Sequence, residues 1–281
     1  MKKRLMAAVL STAMAATMLL TGSISVQAAD AAAANDPAVE LIFTSVSVSG
    51  DSHTEAMYEF ADKVEELSGG SVTCKCYDNG SLFSSENEFD ALLNGDADLA
   101  YISFPTIATQ IPSYSMFASG YLFSSYEHMT SVLNGDIGLN KIRPQIEETL
   151  NIKPLSSFYL GSRVINTREK EINSYDDMNG LLLRMPNSEA WLFLGEALGA
   201  NPTPLSFSEL YTALQTGAVD AQDNPLPSIE SAKFYEVTKY IAITNHVVDS
   251  IMPCINGDTW NSMTEAQQEA VTEAMEYARD V

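Results

Sequence analysis

Residues Gly180 to Tyr235 read GLLLRMPNSEAWLFLGEALGANPTPLSFSELYTALQTGAVDAQDNPLPSIESAKFY. Two kinds of segment alternate in this stretch. Leu181–Met185 and Ala218–Gln222 are short, apolar and strand-like, whereas Ser188–Leu198 and the run from Ser206 to Gly217 repeat apolar residues at helical spacing. Ser206 and Glu209 predict a capping box for the second helix, and Pro202 and Pro204 predict a stiff connector before it. Strand, helix, connector, helix, strand is the pattern of an α/β fold. One residue breaks it: Arg184 sits inside an apolar strand with no carboxylate within a few residues on that strand. Burying a guanidinium unpaired costs several kcal/mol. The pattern therefore calls for an anionic partner from outside the chain.

The same grammar extends outward. Glu40–Val48, Val72–Tyr77, Asp98–Ser103, Lys153–Tyr159 and Arg163–Thr167 read as strands. Thr54–Leu67, a run opened by a Ser85-x-x-Glu88 capping box and closed at Gly95, Tyr126–Leu133 and Leu139–Leu150 read as helices, with Pro144 obscuring the start of the last. Downstream, Ser228–Val237 is helical, Tyr240–Asp249 and Ile251–Asn256 are extended, and Thr264-x-x-Gln267 caps a final helix. This alternation predicts α/β with largely parallel pairing. An internal echo accompanies it: Ala91-Leu92-x-x-Gly95-x-x-Asp98 matches Ala213-Leu214-x-x-Gly217-x-x-Asp220. Two copies of one helix–glycine–strand unit suggest two similar lobes.

The N-terminus carries a basic group, Lys2, Lys3 and Arg4, then an apolar run from Leu5 to Leu20, then Val26-Gln27-Ala28. That is the pattern of a cleaved signal peptide over residues 1–28, followed by an Ala-rich leader over Ala29–Pro37. Ser23 stands where a lipidated cysteine would, so an extracytoplasmic protein without a lipid anchor is expected. Removing the segment takes three basic and no acidic residues, shifting the net charge from −22 to about −25. So acidic a chain is a poor partner for nucleic acid or anionic membranes. About 250 residues remain, enough for one large domain or two lobes.

Catalytic motifs are missing from the sequence. It has no Gly-x-Ser-x-Gly elbow, phosphate-binding glycine loop or His-Glu-x-x-His, and His53, His128 and His246 lack metal-ligand spacing. Neither a metal nor a cofactor is expected. A carboxylate pair assembled in space, as in a glycosidase, stays open. Cys74 and Cys76 share one face of a strand and read as small buried apolar residues, although a bridge to Cys254 also stays open.

Several segments, taken in order, resemble the solute-binding proteins of TRAP transporters, the DctP family. They are Gly161–Thr167 (GSRVINT), Leu183–Asn187 (LRMPN), Gly199–Pro204 (GANPTP), Phe207–Gln215 (FSELYTALQ), Val219–Pro225 (VDAQDNP), Lys233–Val237 (KFYEV) and Thr244–His246 (TNH). The likeness continues more weakly from about residue 41. It implies a two-lobed, type II-like periplasmic-binding-protein fold: residues 39–160 with 250–281 as the first lobe and 161–249 as the second. A monomer of this kind closes on a small organic acid and delivers it to membrane permease subunits. Arg184 corresponds to the arginine that pairs bidentately with the ligand carboxylate, and Arg163 to a second, less universal one. Asn224 would hydrogen-bond the ligand, Phe207 would lie against its carbon skeleton, and Asn187 would line the cleft. Val46, Ser85 and Ser103 occupy first-lobe contact positions. Ser103 replaces an acidic residue of sialic-acid-binding members, which speaks against sialic acid, and Phe83 replaces a glycine usual in the family. Relatives also continue with further helices, which this chain would lack after Val281. Two other classes stay open: a ligand sensor of the same fold that serves a receptor, and a secreted hydrolase.

Overall fold

The computed structural model describes residues 33–281. The predicted signal peptide lies outside them. In chain order the elements are β1 (Val39–Thr44), α1 (Ser52–Leu67), β2 (Val72–Tyr77), α2 (Glu88–Asn94), β3 (Leu99–Ile102), α3 (Phe104–Ile107), α4 (Tyr126–Leu133), α5 (Arg143–Leu150) and β4 (Ile152–Pro154). They continue with β5 (Phe158–Thr167), β6 (Leu182–Met185), α6 (Glu189–Ala197), β7 (Asn201–Pro204), α7 (Phe207–Thr216), β8 (Ala221–Pro225), α8 (Leu226–Ser231), β9 (Tyr240–Asn256), α9 (Gly257–Ser262) and α10 (Glu265–Asp280).

The strands run in the order β2-β1-β3-β9-β5-β8-β6-β7, with β4 also paired to β9. Strand β9 is the spine. Its first part, Tyr240–Ile251, pairs with β5, and Met252–Asn256 pair with β3 and β4. The nine strands therefore form two half-sheets that share β9. Pairing is mixed rather than largely parallel: β2-β1-β3 and β7-β6-β8 are parallel, whereas β5 and β9 run antiparallel to all their neighbours.

Strand alternation gives each half-sheet two apolar faces. In the first, Leu41, Phe43, Leu99 and Tyr101 face α1 and α10, while Ala100, Ile102, Met252 and Cys254 face α2 to α5. In the second, Leu183, Met185 and Ile165 pack on Trp191 and Leu194 of α6, and Val164 packs on Leu210 and Leu214 of α7. Each half is thus a helix–sheet–helix sandwich. Cys74 and Cys76 pack on one face of the first half-sheet and Cys254 on the other, so the open bridge does not form and all three thiols are free.

The internal echo is structural. Gly95 and Gly217 both end their helices in the left-handed region, at φ 78° and 80°. Asp98 then accepts from the Ile42 amide at 2.8 Å, and Asp220 accepts from the Leu182 amide at 3.0 Å. Each aspartate fastens the incoming strand to its parallel neighbour in the same way.

Several local expectations are corrected. Tyr240–Asp249 and Ile251–Asn256 are one 17-residue strand. Pro202 and Pro204 lie in β7, where an edge position tolerates missing N–H donors. The Ser85 capping box does not form: Asn87 precedes α2 without a side-chain cap, and Glu88 is buried. At α7 the Ser206 hydroxyl donates to the Glu209 carboxylate at 2.6 Å instead of capping the backbone. Pro144 opens α5 after a wide π turn over Gly138–Ile142. The region read as one helix over Ser228–Val237 splits at Lys233, whose φ is +56°. The Thr264 capping box forms as expected.

Candidate functional site

Arg184 lies near the carboxyl end of β6, between Leu183 and Met185. These two neighbours pack with Trp191, so alternation sends Arg184 out of the opposite face. The residue is only 3% exposed. Its Nε donates to the Leu205 carbonyl at 2.8 Å, which fixes the plane of the guanidinium. Nη1 and Nη2 have no hydrogen-bond partner among the described residues. Burial pulls the Arg184 pKa down to about 10; Asp223 and Glu86 pull it back up, whereas Arg163 works with burial. The side chain remains a cation at neutral pH, with the bidentate fork free.

Arg163, expected as a second ligand arginine, has a different environment. Its Nε donates to Asp223 Oδ2 at 2.7 Å, Nη1 to Asp249 Oδ2 at 2.8 Å, and Nη2 to Asp223 Oδ1 at 3.0 Å and the Asp223 carbonyl at 2.5 Å. The guanidinium stacks on Trp191, 4.5 Å from the ring centre. Burial would raise the Asp223 carboxyl, but Arg163 and His246 outweigh it and hold Asp223 well below the usual carboxylate range. At Asp249 burial wins over Arg163, and its pKa is raised. His246, fully buried, places Nε2 3.2 Å from Asp223 Oδ2 and Nδ1 2.7 Å from Thr244 Oγ1. An ionised Asp223 can only accept, so Nε2 carries a proton toward it.

Asn224 joins the two arginines. Its Oδ1 accepts from Arg163 Nη2 at 3.3 Å and its Nδ2 donates to Gln222 Oε1 at 2.6 Å; Gln222 is the register partner of Arg184. A row of polar groups thus runs along the carboxyl ends of β6 and β8, the position at which open α/β sheets hold ligands.

Phe207 opens α7, two residues beyond the Leu205 carbonyl that holds Arg184, and meets Phe234 edge-on at 5.6 Å. It lines a cleft of about 370 Å³ whose opposite wall includes Val46, Ser84 and Ser85. Phe207 and Ser85 are therefore brought together across the two half-sheets. Arg184, Arg163, Asn224, Ser103 and Asn187 do not line this cleft. Ser103 caps α3, its hydroxyl 3.0 Å from that of Thr106, and Asn187 is exposed in the turn before α6.

Sequence reading missed Asp223, Asp249 and Trp191 as the cage of Arg163. Asp249, inside the apolar run of β9, was the available signal. The described residues contain no cluster of His, Cys, Asp or Glu able to hold a metal ion.

Residues 43–281 match the family described as bacterial extracellular solute-binding protein, family 7 (DctP). The sialic acid-binding periplasmic protein SiaP of Vibrio cholerae is 33% identical over 220 residues, 78% of this chain and 68% of that protein, so the chain spans about two thirds of its length. A TRAP periplasmic solute-binding protein of Roseobacter denitrificans, solved with bound 3-deoxy-D-manno-oct-2-ulosonic acid, superimposes with a TM-score of 0.81 at 39% identity, covering 86% of this chain and 80% of that one. The sugar acid-binding protein DctPAm of Advenella mimigardefordensis, solved with galactonate, gives 0.83 at 28% identity, covering 88% and 79%. With the two-lobed fold and the mixed sheet already in place, the chain belongs to the DctP family of extracellular solute-binding proteins.

Proposed function

We propose that this protein captures a small organic acid outside the cytoplasm and delivers it to the membrane permease of a TRAP-type transporter. The carrying observation is Arg184: a buried cation whose two terminal nitrogens are unpaired and lie in one plane, a geometry that matches one carboxylate. The bound acids of the solved relatives support the class of ligand. In this reading Arg184 takes the carboxylate, Asn224 adds a hydrogen bond, Phe207 covers the carbon skeleton, and Ser85, Ser103 and Asn187 meet the ligand as the lobes close. The lobes are 39–160 with 250–281, and 161–249, hinged where β9 changes partners between Ile251 and Met252. Binding without turnover, by a monomer, completes the reading. Asp223 and Asp249 are engaged by Arg163 and are poorly placed for hydrolysis.

The test is a thermal-shift screen against organic acids, followed by calorimetry on the best. Arg184→Ala is expected to weaken binding by roughly a hundredfold or more, as for loss of one partner of a buried charge pair. Unchanged affinity in the variant, or conversion of the acid to product, would refute the proposal.

A further inference from the structure

Five asparagines stand directly before a glycine in this chain: Asn79, Asn94, Asn134, Asn179 and Asn256. The backbone nitrogen of the following residue can attack an asparagine side chain at Cγ, and glycine, with no Cβ, hinders that approach least. In a folded chain the reaction needs a side chain free to turn and a glycine amide that is not held in a hydrogen bond.

Four of the five lack one or both. The Gly80 amide donates to the Ser45 carbonyl at 3.0 Å, and the Gly95 amide donates to the Leu92 carbonyl at 3.3 Å. Asn134 is fixed through its side chain: Nδ2 donates to the Ser157 carbonyl at 2.8 Å, and Oδ1 accepts from the Ser157 amide at 3.0 Å and from Arg143. Asn256 is buried, its Nδ2 donates to the Leu92 carbonyl at 2.9 Å, and the Gly257 amide donates to the Asn151 carbonyl at 2.7 Å. Asn179 differs. It lies at φ −61° and ψ 125°, Gly180 follows at φ +78°, and the Leu181 amide donates to the Met178 carbonyl at 3.1 Å. Those angles make a type II turn, whose central N–H takes no part in the closing hydrogen bond. Neither the Gly180 amide nor the Asn179 side chain has a hydrogen-bond partner among the described residues. Both residues are exposed, and nothing lies within 4 Å of where a Gly180 Cβ would stand, so the peptide between them has room to rotate into attack.

We propose that Asn179 is a site of spontaneous deamidation, the one Asn-Gly pair that the fold leaves competent. The Gly180 nitrogen gives its proton to solvent and bonds to Asn179 Cγ, the side-chain nitrogen leaves as ammonia, and a succinimide closes. Water then opens the ring at either carbonyl, leaving aspartate or isoaspartate at position 179. Nothing is oxidised or reduced. Either product adds a carboxylate close in sequence to Asp176 and Asp177, in a chain whose net charge is already −22. Isoaspartate also lengthens the main chain by one carbon just before β6, the strand that carries Arg184.

The test is to age the full chain in mildly alkaline buffer, beside a sample held in urea, and to follow each Asn-Gly pair by brief trypsin digestion and fragment-ion mass spectrometry, with unaged protein as the zero point. Cleavage after Lys170 and Arg184 isolates Asn179 from the other four pairs, and fragment ions separate it from Asn173. In the native sample, conversion at Asn179 should outpace that at every other pair by about tenfold or more, because the others must first open locally. In urea, where all five are open, that lead should disappear. No conversion at Asn179, conversion at Asn79 or Asn94 as fast as at Asn179 in the native chain, or a lead that persists in urea overturns the proposal.

Discussion

Arg163 and Arg184 are both buried, yet of the two only Arg163 is paired with carboxylates among the described residues. The difference follows from strand alternation, which places Arg163 against Trp191 and Asp223, and Arg184 on the opposite face. That the strand of Arg184 offers it no acid was legible in the sequence. The pairing of Arg163 was not legible, because Asp223 and Asp249 lie 60 and 86 residues away. A second residue departs from its sequence reading. Glu88, expected to cap α2, is fully enclosed with Oε1 unpartnered. Burial pushes its carboxyl well above the usual range, offset only in part by the Thr44 hydroxyl. A folded pKa above the unfolded one contributes stability below the unfolded value of about 4.3, which is lost as pH rises through the folded value. Glu88→Gln cannot ionise, so its melting temperature relative to wild type should climb by a few degrees between pH 4 and pH 8. A pH-independent difference in calorimetric melts would contradict this.

At the scale of elements, helices with clear caps and strands bounded by glycine were read nearly to their ends: α4 and β2 agree with the sequence reading at both termini, and α10 has the predicted capping box. Failures occurred where tertiary contacts outweigh local preference. β7 is a strand despite two prolines because its edge position needs few donors, and β9 stays extended through Ser250 because β5 pairs on both sides of it. The register of β5 depends on Gly161. Its φ is +129°, and a Cβ there would lie 2.4 Å from Pro225 Cβ in β8. Gly161→Ala should cost about 2–3 kcal/mol in urea unfolding, combining backbone strain with a forced separation of β5 from β8. A loss below about 0.5 kcal/mol would show that the strands can move apart without strain.

For the whole molecule, hydrogen bonds join the two halves at more than one point. The Ser231 hydroxyl at the end of α8 donates to Asp51 Oδ2, the N-cap of α1, at 3.1 Å, and the Tyr121 amide donates to the His246 carbonyl at 2.7 Å. If the closed state includes the first contact, Ser231→Ala should weaken ligand affinity roughly three- to fivefold with little change in the unliganded melting temperature. Equal affinity in calorimetry would place that contact outside the closed state. The sequence by itself determined the α/β alternation, the two related halves, and an arginine without an acid on its own strand. Those features are local: periodicity, caps and glycine stops act within a few residues. Only the tertiary structure decided that β9 joins both halves, that Arg163 is already matched by Asp223 and Asp249, and that Ser85 faces Phe207 across a cleft. Those are meetings of distant segments, fixed by sheet register and by burial that forces each charge to find its partner.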